Sequence, residues 1–212
     1  MAFMSPNRDK MHWENVGKGY GEFWKSTVKQ ELSTKELDFI NRYLQKTQAK
    51  RVLDIGIGSG RIIVNYAQST TVQRIDGIDW AQSMVDHCQK MFANEKRVKR
   101  LVVCDVSRSS IPFATSYDFI TAIRVFKYNK NWPEIIRKIM QSVSTDGVFV
   151  FSIPNRQSVI RLGKPETYIY ATTQEEIEAV VQANGAKILE ITTFSRLPDV
   201  IYDLSNHALY IS

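Results

Sequence analysis

The sequence VLDIGIGSGR, residues 52–61, decides the fold of this chain. Its first residues are apolar and partly β-branched, which predicts a short buried strand. The three glycines that follow predict a turn in which the backbone comes very close to a ligand. The next helix is expected to begin at about Ser59.

From residue 51 onward, the hydrophobic pattern predicts an alternation of strands and helices. The predicted strands are 51–55, 73–78, 100–104, 117–123, 148–153, 186–194 and 206–212, and the last two form an antiparallel pair. Pro133 and Gly147 mark the start and the end of one helix, and Thr173 with Glu176 forms the capping box of the next. The pattern predicts an α/β fold with a doubly wound, seven-stranded, mostly parallel sheet and helices on both faces.

Residues 1–48 do not follow this alternation. They are predicted to form an N-terminal helical cap near the ligand edge of the sheet, in one compact unit with the sheet domain at 49–212. Ser33 and Glu36 have the spacing of a capping box, which predicts a helix that begins there. The expected buried face of that helix consists of the apolar residues at helical spacing, Leu37, Ile40 and Leu44.

The composition of the 212 residues is that of a globular protein, with 43% hydrophobic and 24% charged residues. No apolar run approaches the ~18 residues that span a bilayer and no secretion signal is evident, so a cytoplasmic protein without membrane association is expected. Cys88 and Cys104 have no metal-ligand spacing, so no metal site is predicted.

The net charge of +6 is compatible with a nucleic-acid partner. The densest basic run, 96–100, lies between a predicted helix and the start of a strand. Ligands of open α/β sheets bind at the opposite edge, beyond the carboxyl ends of the strands. The run is therefore expected to be solvated surface.

The spacing of the glycine turn separates two classes of ligand. Dinucleotide sites favour G-x-G-x-x-G, and the third glycine of that pattern would fall on Arg61. Asp54, just before the turn, suits a ligand with an amino group, and Asp79 at the end of the second strand can accept hydrogen bonds from both hydroxyls of a ribose. Asp105 follows the third strand at the same edge. The alternatives are a different nucleotide in the turn and a helix-capping role for Asp79.

At the motifs VLDIGIGSG (52–60), IDGIDWA (75–81) and VVCDV (102–106), the sequence resembles the class I S-adenosylmethionine-dependent methyltransferases. The resemblance covers roughly residues 51–212, and it implies a Rossmann-like fold, an enzyme and S-adenosylmethionine as the cofactor. The implied cofactor-binding residues are Asp54, Gly56, Gly58 and Gly60 beside the methionine part, Asp79 at the ribose hydroxyls, Trp80 against the adenine ring, and Asp105 with Val106 at the adenine amino group.

In that family, the segment IRVFKYN (123–129) lines the methyl-transfer site, and the resemblance places Arg124 with the cofactor-binding residues. Tyr128 is a candidate hydrogen-bond partner or weak base, and its alternative role is packing at the rim. The stretch WENVGKGYGEFW (13–24) resembles the N-terminal aromatic helix that closes over the cofactor. It makes Tyr20 a candidate cofactor contact. His12, which lies in the cap just before this stretch, is a candidate catalytic residue.

Methyl transfer from a sulfonium needs alignment more than leaving-group activation. An amine attacks once it is neutral, whereas an alcohol or phenol needs a base, and no histidine–carboxylate pair is evident in the sequence. The sequence therefore predicts a small-molecule acceptor that is methylated at an amine nitrogen. The alternatives are an O-methyltransferase, a peptide or protein methyltransferase, and a cofactor-binding scaffold without turnover.

Sequence motifs and charge further restrict the class of possible acceptors. The N/D-P-P-Y/F stretch of adenine-N6 enzymes is replaced by RVFK at 124–127, so nucleic acid is not expected as a partner. Lys127 and Arg156 are candidate substrate-binding residues that would attract a carboxylate or phosphate, and the alternative is solvated loop charge. The sequence leaves the oligomeric state open.

Overall fold

In the computed structural model, the described residues are 27–156, 170–193 and 207–211. The helices are α1 Thr27–Thr47, α2 Arg61–Gln68, α3 Gln82–Met91, α4 Trp132–Met140 and α5 Gln174–Ala183, with a 3-10 turn at Phe126–Tyr128. The strands are β1 Arg51–Ile55, β2 Arg74–Asp79, β3 Val98–Val103, β4 Tyr117–Ala122, β5 Val143–Ser152, β6 Ile188–Thr193 and β7 His207–Ile211. None of the described helices has the length and apolar character needed to cross a membrane.

The strands form one sheet in the order β3-β2-β1-β4-β5-β7-β6. The first five strands in this order are parallel, whereas β7 runs antiparallel to both β5 and β6. The predicted doubly wound α/β class and its antiparallel end are confirmed. The chain leaves β1 toward β2 on one side and returns to β4 on the other, so the topological switch point, where such sheets bind ligands, lies between β1 and β4.

Alternate residues of each central strand pack against opposite layers of helices. Val52 joins the cluster with residues of α1, α2 and α3, and its neighbour Leu53 joins the cluster with residues of α4 and α5. Both side chains are fully buried. Because side chains alternate along a strand, a sheet covered on both faces needs the near-continuous apolar run seen in β1.

The helix α1 differs from its prediction in two ways. It begins at Thr27, so Ser33 and Glu36 lie in its interior and the predicted capping box is wrong. Phe39 and Ile40 are buried in the core beside α2, so α1 is one of the layers on the sheet as well as an element that reaches its ligand edge. The division at residue 48 stays a prediction.

Gly147 does not end a helix, as the sequence predicted, but lies within β5. The helix α4 already ends at Met140, and β5 begins at Val143. A Cβ atom on Gly147 would lie 2.8 Å from Ser144 Oγ and 2.9 Å from the carbonyl oxygen of Tyr117. The register between β4 and β5 shifts beside Tyr117, so glycine is needed because a bulge brings the chains too close for a side chain.

Two other predicted helix signals are confirmed. Pro133 lies in the first turn of α4. Thr173 and Glu176 form a capping box at the start of α5, with both reciprocal hydrogen bonds present. Gly185 follows α5 with a φ of 70°, in the left-handed region typical of helix ends.

The basic run 96–100 is only in part the solvated surface that the sequence predicted. Arg97 donates hydrogen bonds to Glu95 and to the carbonyl oxygens of Ser69 and Ala67. The guanidinium of Arg100 lies 3.9 Å from the centroid of the Phe113 ring. These arginines therefore join strands, helices and loops at the edge of the sheet opposite the switch point.

The partner of Arg100 is Asp76, a fully buried carboxylate in β2. Its oxygens accept hydrogen bonds from Arg100 at 2.8 Å, Arg74 at 2.9 Å and the Tyr117 hydroxyl at 2.7 Å. Burial alone would raise the pKa of Asp76, but these hydrogen bonds outweigh burial and lower it. The carboxylate thus joins β2, β3 and β4 near their amino ends.

Replacement of Asp76 by alanine is expected to lower the free energy of unfolding by about 3 kcal/mol, because breaking a buried ion pair leaves its partners uncompensated. The two arginine side chains are 33% and 32% exposed, which keeps the loss at the lower end of the usual range. Urea unfolding followed by circular dichroism measures it. The matched control is Asp146→Ala at an exposed position of β5, expected to stay within about 0.5 kcal/mol of the wild type. Equal losses in the two variants would contradict the prediction.

Candidate functional site

The glycine turn after β1 has the backbone geometry that only glycine adopts readily. Gly56, Gly58 and Gly60 have φ angles of 76°, 50° and 85°, all in the left-handed region. A Cβ atom on Gly56 would lie 2.7 Å from Val125 Cγ2, and one on Gly60 would lie 2.8 Å from Phe92 Cε2. The turn is therefore fixed by both conformation and space, and α2 begins directly after it, two positions later than predicted.

Asp79 connects this turn to the next one. Its Oδ2 accepts a hydrogen bond from the backbone N–H of Gly58 at 2.9 Å, and its Oδ1 accepts one from the N–H of Ala81 at 2.9 Å. The residue is 7% exposed. Two predicted cofactor-binding residues, Gly58 and Asp79, are thus in direct contact at the carboxyl ends of β1 and β2.

Asp54, in β1 below the turn, is 1% exposed. Its Oδ1 accepts a hydrogen bond from the Thr121 hydroxyl at 2.7 Å, and that hydroxyl also contacts the Tyr66 hydroxyl at 2.8 Å. Its Oδ2 accepts no hydrogen bond from any residue that the structure describes. Burial, only partly offset by the bond from Thr121, raises the pKa of Asp54 to about 7. Such an oxygen can accept a bond from a cationic ligand.

The residues predicted for the adenine end follow β2 and β3. Trp80 comes directly after Asp79 and is partly exposed. Asp105 lies two positions beyond the end of β3, where its Oδ1 accepts hydrogen bonds from the backbone and the hydroxyl of Ser107 at 2.9 and 2.6 Å. Val106 beside it is buried. The three side chains lie at the same sheet edge as Asp79, and their roles stay predictions.

A cleft lies between the glycine turn, the first turn of α2 and the end of β4. Its lining consists of residues 56–59, Arg61, Ile62 and residues 123–124. Arg124 has a φ of 66°, and its backbone N–H donates to Ser152 Oγ at 2.7 Å. A left-handed conformation is uncommon for a residue with a side chain, and such strain clusters at functional sites.

Glu36 of α1 binds both arginines of this cleft, a role that the sequence pattern did not predict. Its Oε2 accepts a hydrogen bond from Arg61 at 2.8 Å, and its Oε1 accepts one from Arg124 at 3.1 Å. Ser33 Oγ, one helical turn earlier, accepts from Arg61 at 2.9 Å. The spacing of Ser33 and Glu36 places them on one helix face, which was the available signal, but the same spacing is also that of a capping box.

The segment 126–128 separates into one core residue and two partly exposed ones. Phe126 is fully buried, with its ring centroid 5.1 Å from that of Phe151. Lys127 Nζ lies 4.8 Å from the centroid of the Tyr128 ring, and the carbonyl oxygen of Lys127 accepts from the N–H of Tyr170 at 2.8 Å. The side chains of Tyr128, the predicted catalytic residue, and Lys127, a predicted substrate-binding residue, therefore contact each other.

Arg156 is exposed and forms an ion pair with Glu176 at 2.8 Å. Its charge is balanced by Glu176, 20 positions later in the sequence, so the local run of basic residues does not reveal this pairing. Its predicted part in substrate binding stays a prediction. Two further candidates, His12 and Tyr20, lie outside the described residues.

A doubly wound sheet with a left-handed glycine turn at its switch point and an acidic residue at the end of β2 defines a Rossmann-like ligand-binding protein. The family model described as a methyltransferase domain matches residues 24–191. The chain belongs to this methyltransferase family, which confirms the predicted family and enzyme class, with S-adenosylmethionine as the cofactor of the family.

The relatives that are similar in sequence include an O-methyltransferase and an N-methyltransferase. The chain is 23% identical over 127 residues to a malonyl-[acyl-carrier protein] O-methyltransferase of Bacillus cereus, covering 60% of this chain and 46% of the relative. It is 27% identical over 126 residues to the (S)-coclaurine N-methyltransferase of Thalictrum flavum, covering 55% and 33%. The chain thus spans about half the length, or less, of these relatives.

The fold is also similar to a solved structure. Magnesium protoporphyrin IX methyltransferase of Synechocystis with bound SAH matches with a TM-score of 0.74 and 15% identity, covering 98% of this chain and 99% of that one. At this identity the likeness concerns the fold, and it confirms the predicted fold class.

The raised pKa of the buried Asp54 predicts how the stability of the protein depends on pH. Between pH ~4 and pH ~7 the folded state keeps a proton on Asp54 that the unfolded state has lost, so the free energy of unfolding falls as the pH rises through this interval. Asp54→Asn cannot titrate there. The difference in unfolding free energy between pH 5 and pH 8, measured with urea, is expected to shrink in this variant. An unchanged difference, with Asp146→Asn as control, would contradict the expected titration.

Proposed function

We propose that the protein transfers a methyl group from S-adenosylmethionine to an amine nitrogen of a small-molecule acceptor in the cytoplasm. The observation that carries this proposal is the contact of Asp79 with Gly58, because it joins an acidic strand end to a glycine turn at the switch point of the sheet. Membership of the methyltransferase family supports the reaction type.

The residues present fit this cofactor. The methionine end would lie against the turn of Gly56, Gly58 and Gly60, of which Gly56 and Gly58 line the cleft. The cofactor's ammonium group would donate to Asp54, whose buried Oδ2 accepts no hydrogen bond from a described residue. Asp79 would hold the ribose hydroxyls, while the adenine end would contact Trp80, Asp105 and Val106.

The acceptor proposal follows from the side chains at the end of β4. Arginine and lysine are protonated at neutral pH and a phenol is a weak base, so Arg124, Lys127 and Tyr128 favour an acceptor that needs no strong base. A neutral amine is such an acceptor, since it attacks the methyl group with its own lone pair. Lys127 and Tyr128 would orient it, with His12 as a further candidate catalytic residue and Tyr20 as a candidate cofactor contact.

The second candidate is O-methylation of a carboxylate. A carboxylate is already ionised, so it needs no base either, and Arg124 and Lys127 would attract its charge. One relative is an O-methyltransferase that acts on malonyl-[acyl-carrier protein] and another is an N-methyltransferase, so the relatives support both reactions. An anionic small molecule, with Arg156 as a further contact, fits this candidate. A peptide or protein acceptor is a third.

Titration calorimetry tests the cofactor proposal. The wild type is expected to bind S-adenosylhomocysteine and not NAD, because Arg61 occupies the position of the third dinucleotide glycine. Asp79→Ala is expected to weaken the affinity at least about tenfold, since charge-assisted hydrogen bonds to the ribose are lost and the glycine turn loses its anchor. Asp86→Ala, an exposed position on α3, is the matched control. Preference for NAD, or equal affinity in both variants, would refute the proposal.

A second experiment distinguishes the acceptors. Methyl-labelled S-adenosylmethionine is incubated with the protein and either a panel of primary and secondary amines or a panel of carboxylic acids. Labelled product that survives treatment with alkali is expected, because N-methyl groups are stable there whereas methyl esters hydrolyse to methanol. Alkali-labile product would support the carboxylate candidate. Cofactor binding with no S-adenosylhomocysteine formed from any acceptor would support the scaffold alternative.

A further inference from the structure

A chain of hydroxyl groups lies beneath the glycine turn, between α2, β4 and β1. The hydroxyl of Tyr66 lies 2.8 Å from Thr121 Oγ1, which lies 2.7 Å from Asp54 Oδ1. Tyr66 and Thr121 are fully buried, and Asp54 is 1% exposed. Tyr66 and Thr121 lie outside the lining of the cleft. They can therefore influence the site only through the Asp54 carboxylate.

The protons of this chain point in one direction when Asp54 is ionised. An ionised carboxylate only accepts hydrogen bonds. The one proton of the Thr121 hydroxyl is therefore donated to Asp54 at 2.7 Å rather than to the carbonyl oxygen of Leu53 at 3.5 Å. The Tyr66 hydroxyl then donates to Thr121, which is its hydrogen-bond partner among the residues that the structure describes. Burial and the charge of Asp54 raise the pKa of Tyr66, so its hydroxyl keeps this proton at neutral pH.

The chain is strongest when Asp54 is ionised. Hydrogen bonds to a charged acceptor are roughly twice as strong as bonds between neutral groups. In a chain each bond polarises the next, so Tyr66 favours the charge of Asp54 without touching the carboxylate. The chain uses Oδ1 and leaves Oδ2 without a hydrogen bond from a described residue.

We propose that Tyr66 and Thr121 are positioning residues that favour the ionised form of Asp54 and leave its Oδ2 oxygen to a cationic group. The identity of that group, the ammonium group of the cofactor, rests on the proposed function. A protonated Asp54 must lose its proton before it can accept a bond at this oxygen from an ammonium group. Ligand binding is therefore coupled to pH, and the two hydroxyl groups set the pH at which the coupling occurs.

The other charged or titratable groups that face Asp54, among the described residues, come from α2, β2 and α3. Burial is the largest influence on the pKa of Asp54 and raises it, whereas the bond from Thr121 lowers it. The charge of Arg61 in α2 also lowers this pKa, and the charge of Asp79 in β2 raises it. Burial and the two carboxylates raise the pKa of the Cys88 thiol in α3 to about 12, so the thiol stays neutral.

The test follows the titration of Asp54 in the protein without ligand. Aspartate is labelled with ¹³C at the side-chain carboxyl, and the NMR signal that disappears in Asp54→Asn is followed between pH ~5 and pH ~9. Thr121→Val, which removes the hydroxyl at similar volume, is expected to raise the midpoint by at least about one pH unit. Tyr66→Phe is expected to raise it by about half a unit. Thr121→Ser, which keeps a hydroxyl, is expected to titrate as the wild type does.

Tyr43→Phe is the matched control, because the Tyr43 hydroxyl also donates to a carboxylate, that of Glu190 in β6. It is expected to leave the midpoint of Asp54 unchanged. Unchanged midpoints in Thr121→Val and Tyr66→Phe would overturn the inference, and so would an equal rise in the control. A rise in Thr121→Ser as large as in Thr121→Val would also overturn it, since packing would then be the cause. If Thr121→Val does not fold, Tyr66→Phe and its control make the same test.

Calorimetry with S-adenosylhomocysteine, in buffers of different ionisation enthalpy, tests the coupling to binding. At pH ~6 the wild type is expected to release nearly one proton on binding, and Asp54→Asn is expected to release none. In Tyr66→Phe the release is expected to persist to higher pH. Binding by the wild type without proton release would refute the coupling. Failure of the wild type to bind would refute the proposed function, whereas the NMR titration would still decide the role of the two hydroxyl groups.

Discussion

Asp79 accepts hydrogen bonds from the backbone N–H groups of Gly58 and Ala81, and these two bonds join the turn after β1 to the turn after β2. The parallel pairing of Ile55 with Ile78 brings the two strand ends side by side, so the carboxylate needs to reach across only one strand spacing. A carboxylate this deeply buried is tolerated because N–H donors meet both of its oxygens. Backbone bonds from Gly56 and Ile57 to the carbonyl oxygen of Ile78 act beside this carboxylate, and together they hold the glycine turn, from which α2 and the cleft start, against the end of β2.

Acidic and basic side chains surround the glycine turn. Asp54 and Asp79 lie at the strand ends, while Arg61 and Arg124 lie toward α1 with Glu36 between them. Arg61 and Arg124 line the cleft, whereas Asp54 and Asp79 lie outside its lining. The cleft therefore presents guanidinium groups, and the carboxylates are buried beside the glycine turn.

The sequence predicted the parts of the site that local spacing controls. Gly56, Gly58 and Gly60 are predictable because a left-handed backbone demands glycine at each position, and Asp79 is predictable because it ends a strand beside them. Glu36 is different, since its partners lie 25 and 88 positions away and no local rule pairs them.

Two capping-box patterns with the same spacing show why other parts of the structure could not be predicted from the sequence. Thr173 and Glu176 form a capping box, whereas Ser33 and Glu36, with equivalent residue types and spacing, lie inside a longer helix. The difference is set by the residues before each motif and by the arginines that α2 and β4 bring to α1. The role of Gly147 is not predictable for the same reason, because the bulge that requires glycine depends on the pairing of β5 with β4.

The order of strands in the sheet also affects the order in which they can pair while the chain is being synthesised. The edge strand β6 is synthesised before β7, and among the described residues it pairs with β7 alone. This edge of the sheet is therefore expected to assemble late, after the parallel strands have their partners.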